Sequence, residues 1–281
     1  MNNIILILLL MGIIGVFFGL ILAFANKKLA VELNPLIHLV EDVLPKGQCG
    51  ACGFAGCQAY AEAVVLNEEI PPNLCVPGKK PVALKVAELT GKVSEDVEAR
   101  IAYVKCASPI GPASQKYEYS GIVDCVAASM LHSGPKNCQY GCMGMGTCVR
   151  QCVFDAIRLN AQGLPEIDKK ACTGCGKCAA ACPKKIIEII PAKASVFVAC
   201  KSQDKGAVAR KICATACIGC GLCKKQCPHE AITVENNLAW VNPAICIEKC
   251  ERQVCLEKCP TKAITACDAS SPEQVYTTQA G

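Results

Sequence analysis

The hydrophobic pattern is most extreme at the start of the chain, where IILILLLMGIIGVFFGLILAFA runs unbroken from Ile4 to Ala25. No polar residue interrupts it, and its length suits one helix crossing bilayer hydrocarbon, which takes about 20 residues. Lys27 and Lys28 follow, so the positive-inside rule places the rest of the chain on the cytoplasmic side. A cleaved signal peptide is the rival, because Ala23-Phe24-Ala25 has the A-x-A form. Against it, no Lys or Arg precedes the run, and the run is long for a signal core. The expectation is an uncleaved single-pass anchor over residues 1–26, in contact with lipid in the cell (inner) membrane. Gly12, Gly15 and Gly19 share one face of that helix. They would admit a close partner helix, or simply reflect how often glycine occurs in membrane helices.

Beyond the anchor the apolar positions fall into short periodic pieces. Residues 57–70 read as a helix stopped by Pro71-Pro72, and VALKVAELTG and the stretch at 94–103 also read as helical. AIRLNAQGLPEID and AITVENNLAWVN each place a turn between two short β-branched stretches, the pattern of a hairpin. SGPKN, ahead of Cys138, is turn-rich and marks a boundary. Helices and short hairpins in succession make an α+β chain.

Composition changes the picture through cysteine, with 25 in 281 residues against only 3 histidines. Such density means a disulfide scaffold or metal. Tight thiol runs along a long chain, on the reducing side of a membrane, favour metal. Three histidines (His38, His132, His229) cannot serve Cys/His zinc sites in every run, so iron–sulfur ligation by thiolate leads. The formal charge is +5, and a four-iron cluster with four thiolates carries about −2. Five such clusters would bring the chain to about −5. The lysines therefore offset cluster charge. A nucleic-acid surface is not expected, since aromatics are 5% and the lysines interleave with cysteines rather than stacking rings.

The thiols have a regular order. Cys49, Cys52, Cys57 and Cys75 give C-x2-C-x4-C-x17-C, with glycines that permit a tight loop; zinc is the alternative there. From Cys138 the chain repeats itself. One unit carries Cys138, Cys142, Cys148, Cys152 and then Cys172, Cys175, Cys178, Cys182. The next carries Cys217, Cys220, Cys223, Cys227 and then Cys246, Cys250, Cys255, Cys259. A C-x2-C-x2-C loop can wrap three corners of one cubane, whereas zinc ribbons use two separated C-x2-C pairs.

Thiol run, hairpin, thiol run resembles the bacterial two-cluster ferredoxins, in which the fourth Cys of each run ligates the other cluster. The resemblance covers about residues 138–190 and 217–265. It implies that Cys182 joins Cys138, Cys142 and Cys148, and that Cys152 joins Cys172, Cys175 and Cys178. It likewise implies Cys259 with Cys217, Cys220 and Cys223, and Cys227 with Cys246, Cys250 and Cys255. The Cys138 run (x3-x5-x3) and the Cys246 run (x3-x4-x3) depart from the family spacing, and Val153 stands where proline follows the other runs. The division expected is a four-Cys [4Fe-4S] domain at 27–90, a connecting helical segment at 91–135, ferredoxin-like units at 136–195 and 196–267, and a polar tail at 268–281.

Five sites use all but Cys106, Cys125, Cys200, Cys213 and Cys267. The first two precede the first ferredoxin-like unit and the next two follow it. Because a compact unit has its ends close together, Cys106, Cys125, Cys200 and Cys213 could converge on a sixth [4Fe-4S] cluster; buried free thiols are the plainer fate. Cys267, beside the polar tail, reads as a spare thiol.

No Gly-rich dinucleotide loop, nucleophile–base pair or paired catalytic carboxylates is found, so the chain carries no complete active site; Gly144-Met145-Gly146 lies inside a thiol run. The anchor, the G-x-C-G-x-C-G-x-x-G-C site with its distant fourth Cys, and the ferredoxin repeats together resemble the B subunit of the Rnf complex, in a long form with two ferredoxin units. That resemblance implies an electron-transfer subunit of an ion-pumping ferredoxin:NAD oxidoreductase. It would take electrons from soluble ferredoxin and feed membrane and peripheral partner subunits. The readings beside it are a polyferredoxin of another membrane reductase or hydrogenase, and a non-redox zinc scaffold.

Overall fold

The computed structural model describes residues 2–29 and 34–267. The apolar run forms one helix, α1 (Asn2–Leu29), long and apolar enough over Ile4–Lys27 to cross a membrane and exposed along almost its whole length.

After Asn34 a small helical domain begins with α2 (Pro35–Val43). The Asn34 side chain accepts from the Leu36 N–H at 3.0 Å, and Pro35 supplies a helix-ready φ where no N–H is missed. Helix α2 packs against α3 (Cys57–Leu66) and α4 (Lys79–Thr90). Ile37, Val40, Leu44, Tyr60, Val64 and Val86 form the core between them. Helix α3 ends at Leu66, short of the expected residue 70. Asn67 turns the chain there by accepting from the Glu69 N–H, and the Lys92 ammonium gathers the carbonyls of Val64, Asn67 and Ile70 at 2.7, 2.7 and 2.8 Å.

Residues 94–103 are not the expected helix. Arg100–Val104 is a strand, β1, that pairs antiparallel with β4 (Ile187–Pro191). Burial decides the matter, because Ile101, Ala102 and Tyr103 are each under 8% exposed once paired. The two expected hairpins are present, as β2 (Ile157–Leu159) with β3 (Pro165–Ile167), and β6 (Ile232–Glu235) with β7 (Leu238–Val241). Strand β5 (Val196–Val198) pairs with β8 (Ile264–Ala266). Each ferredoxin-like unit is therefore a hairpin plus a pair made from its outer strands. The first unit's sheet begins inside the segment read as a connector.

Short helices fill the rest: α5 (Cys125–Met130), α6 (Thr147–Arg150), α7 (Lys177–Ala181), α8 (Gly206–Ile212), α9 (Leu222–Gln226), α10 (Pro243–Lys249) and α11 (Val254–Lys258). In one unit α6 packs on α7, and in the other α9 packs on α11. Cys267 is 1% exposed and sits in the core of the first unit, although it directly follows the last strand of the second. The polar tail at 268–281 lies outside the described residues.

Candidate metal centres

Cys49, Cys52, Cys57 and Cys75 line one cavity of about 20 Å³ with Gly47, Gly50, Gly56 and Tyr60. Cys57 opens α3, and Gln48 accepts from its N–H at 2.8 Å, which folds the loop back on the helix start. Burial pushes the Cys75 thiol up to about 11, and the neighbouring Cys57, Cys49 and Cys52 add to the rise. The same loop meets the first ferredoxin-like unit. Cys49 feels the charge of Cys175, and a Cβ at Gly47 would stand 2.8 Å from the Phe154 ring.

Three later loops share one backbone. Gly144 and Gly146 have φ of 72 and 70°, Gly174 and Gly176 have 72 and 80°, and Gly219 and Gly221 have 64 and 72°. Left-handed φ at both positions is the glycine requirement of this turn. The second glycine of each pair precedes the helix that carries Cys148, Cys178 or Cys223. A Cβ at Gly144 would come within 2.9 Å of the Gly163 carbonyl, and one at Gly219 within 2.8 Å of the Asn237 backbone, so these two loops are closed by hairpin turns, whereas Gly174 lies against Arg100 at the start of β1.

The fourth cysteines also share a turn. Three residues after Cys152, Cys182, Cys227 and Cys259, the residues Asp155, Lys185, Glu230 and Lys262 take φ of 50, 50, 51 and 52°. The following N–H then points at sulfur, Ala156 to Cys152 at 3.3 Å and Ala263 to Cys259 at 3.2 Å. Two carboxylates and two lysines in one strained conformation mark a backbone whose geometry, at Cys152 and Cys259, aims an N–H at the thiol sulfur.

The thiols gather into distinct sets. Cys217, Cys220, Cys223 and Cys259 line one cavity of about 20 Å³. Cys246 lies with Cys250, Cys255 and Cys227. Cys178 lies with Cys172 and Cys175, and also feels Cys148. Of the set Cys106, Cys125, Cys200 and Cys213, three meet. Their cavity, again about 20 Å³, is completed by Cys138 instead of Cys125. Cys138 feels Cys106 and Cys213, whereas Cys125 stands beside Cys148, which also feels Cys182. The signal for this lies in glycine rather than cysteine, since the Gly144/Gly146 pair sets the register of its loop.

The donor chemistry fits clusters. None of the cysteines is in a disulfide, and among the described residues no group of three or more His, Cys, Asp or Glu is set to hold a single metal ion. A lone zinc draws four thiolates to about 2.3 Å, hence to within about 4 Å of one another. Three of these sets ring cavities instead, as one thiolate per corner of a four-iron cluster requires. Burial pushes Cys142 up to about 12 and Cys200, Cys223 and Cys246 up to about 11. Such thiols give up their protons to a metal that supplies positive charge.

Comparison with known proteins agrees. A family model described as "Putative Fe-S cluster" matches residues 44–77, and two described as "4Fe-4S binding domain" match residues 164–187 and 214–233. The chain is 57% identical to the B subunit of the proton-translocating ferredoxin:NAD(+) oxidoreductase complex of Clostridium ljungdahlii, over 95% of this chain and 93% of that one. It is 41% identical to the B subunit of the Na(+)-translocating ferredoxin:NAD(+) oxidoreductase complex of Acetobacterium woodii, over 91% of this chain and 76% of that one. It is 38% identical to the B subunit of the ion-translocating oxidoreductase complex of Methanosarcina acetivorans, over 89% and 94%.

Proposed function

The chain belongs to the family of B subunits of ion-translocating ferredoxin:NAD(+) oxidoreductase complexes, and from that premise we propose that it takes electrons from reduced ferredoxin at its distal units and passes them to membrane partners from its Cys49 end. It is a membrane-associated, iron–sulfur electron-transfer subunit of such a complex. When bound, a [4Fe-4S] cluster takes up and releases one electron at a time.

We assign four ligand sets, Cys49, Cys52, Cys57, Cys75; Cys152, Cys172, Cys175, Cys178; Cys217, Cys220, Cys223, Cys259; and Cys227, Cys246, Cys250, Cys255, which the groupings support except at Cys152, supplied by the ferredoxin resemblance. A fifth forms around Cys142, Cys148 and Cys182. The observation that carries the reading is contiguity. Cys49 neighbours Cys175, Cys178 neighbours Cys148, the Cys142 N–H donates to the Cys106 sulfur at 3.4 Å, and Cys200 neighbours Cys217. Thiol sites thus follow one another from the domain after the anchor to the far unit.

The anchor tethers the Cys49 domain close to the bilayer on the cytoplasmic side, where ferredoxin is. Lys224, Lys225, Lys249 and Lys258 of the second unit are all exposed, a suitable surface for an acidic ferredoxin, and docking there weakens as salt rises. The test is Cys52→Ser in the assembled complex. Ferredoxin should still reduce the distal clusters rapidly, while reduction of the membrane subunits and of NAD stops. Membrane subunits still reduced while the distal clusters stay oxidised would reverse the order.

A further inference from the structure

We infer that Cys106, Cys138, Cys200 and Cys213 hold a sixth [4Fe-4S] cluster joining the two ferredoxin-like units, and that Cys125 takes the corner of the Cys142 site that Cys138 would otherwise fill. The inference rests on the cluster reading under the proposed function.

Loop register separates Cys138 from the thiols that follow it. When the glycine pairs are superposed in sequence, Cys142-Met143-Gly144-Met145-Gly146-Thr147-Cys148 runs parallel to Cys172-Thr173-Gly174-Cys175-Gly176-Lys177-Cys178 and to Cys217-Ile218-Gly219-Cys220-Gly221-Leu222-Cys223. The backbone follows suit, with paired left-handed glycines and a helix start in all three. Cys142 and Cys148 therefore correspond to the outer thiols, and the middle thiol is missing, with Met145 in its place. The irregular x3-x5-x3 spacing comes from counting Cys138 into a loop to which it does not belong.

A hydrogen-bond network delivers Cys125 to the missing corner. Cys125 is the first residue of α5, capped by Asp124, whose carboxylate accepts from the N–H groups of Val126 and Ala127. That carboxylate also accepts from the Thr147 hydroxyl at 2.8 Å and from Arg150 at 3.0 Å. Thr147 in turn accepts from the Cys125 N–H at 2.8 Å, and Arg150 donates to the Met145 carbonyl at 3.0 Å. The helix bearing Cys125 is thus tied to the loop that lacks a thiol, and Cys125 ends beside Cys148.

The site that Cys138 then joins is built for an anionic group. Its cavity matches those of the Cys49 and Cys217 sites at about 20 Å³. Lys105, Lys136 and Lys201 line it, with Asp204 as its one lining carboxylate. Lys136 is 3% exposed, and its ammonium reaches the Ser108 carbonyl at 2.7 Å and the Cys106 sulfur at 3.8 Å. Among the described residues it makes no ion pair with a carboxylate. A buried cation needs an anion, and a cluster with four thiolates carries about −2. Backbone N–H groups already address two of its thiols, Cys142 to Cys106 and Ser202 to Cys200, each at 3.4 Å.

The test uses the full-length chain purified without oxygen, with iron and zinc counted and the clusters followed by Mössbauer spectroscopy. The native chain should hold about 24 irons. Cys106→Ser with Cys213→Ser should leave about 20, with the remaining clusters spectroscopically unchanged. Cys125→Ser should lower the count by about one to four irons, and Met145→Cys added to it should restore about 24. The rescue separates ligation from folding, because a merely misfolded variant gains nothing from a second substitution. About 20 irons in the native chain, unchanged by the Cys106/Cys213 pair, would overturn the sixth site. Full iron in Cys125→Ser, or its loss without rescue by Met145→Cys, would overturn the exchange of corners. A native chain with zinc and no iron would instead overturn the cluster reading itself.

Discussion

The domain after the anchor and the second ferredoxin-like unit both surround thiol sites, yet they are held together differently. In the first, α2, α3 and α4 close on Ile37, Val40, Tyr60, Val64 and Val86, each at most 1% exposed, and Cys75 contributes the one thiol among its buried described residues. In the second, the buried cluster includes Cys200, Cys217, Cys223, Cys246 and Cys255, with alanine and a few β-branched residues around them. One domain has an apolar core with a metal site at its edge. The other puts its metal sites where a core would be. The difference teaches that the same ligand chemistry can be a passenger of a fold or its main support.

Stripping the iron with a chelator under reducing conditions breaks the comparison open and should have the largest effect. The second unit should lose its protease protection and slow amide exchange nearly completely. Residues 34–92 should keep theirs, because burial of their apolar side chains does not depend on metal. Equal loss in both regions would show that the helical core is not self-sufficient.

A pair of glycine substitutions sharpens the comparison at single-residue scale. Gly219→Ala forces a side chain into left-handed backbone and against Asn237, whose backbone a Cβ would approach to 2.8 Å. The strained backbone alone costs about 1–3 kcal/mol, and the contact adds to it, so about four irons should be lost. Gly53→Ala has a similar φ of +88° but nothing within 4 Å, and should keep its iron.

The smallest effect belongs to Lys92→Met. It removes three hydrogen bonds to the carbonyls that end α3 and should cost the helical domain about 1–2 kcal/mol in denaturant unfolding, with iron unchanged.

The legible features in the sequence were those whose cause is local. The anchor is one apolar run, and each hairpin carries its own turn. The C-x2-C-x2-C loops state their geometry through the glycines between the thiols. Strand β1 was read as helix because its reason for being a strand lies at residues 187–191, and short apolar runs look alike until a partner buries them. The grouping of Cys138 and Cys125 was hidden for a related reason. Counting thiols along the chain treats every cysteine near a loop as part of it. The Asp124–Thr147–Arg150 network, which carries Cys125 to the loop, joins residues more than twenty positions apart.

Cys267 has a consequence for how the chain is made. Its N–H donates to the Ser195 carbonyl at 2.8 Å, and it lies in the core of the first unit while its preceding strand belongs to the second. A ribosome delivers the first unit long before residue 267 emerges, so that unit leaves the tunnel with a gap in its interior. The same holds for the cavity that waits for Cys200 and Cys213. The two units therefore cannot mature one after the other as beads on a string. The interior of the first is sealed only when the last strand of the second docks, which ties its final closure to the folding of the second.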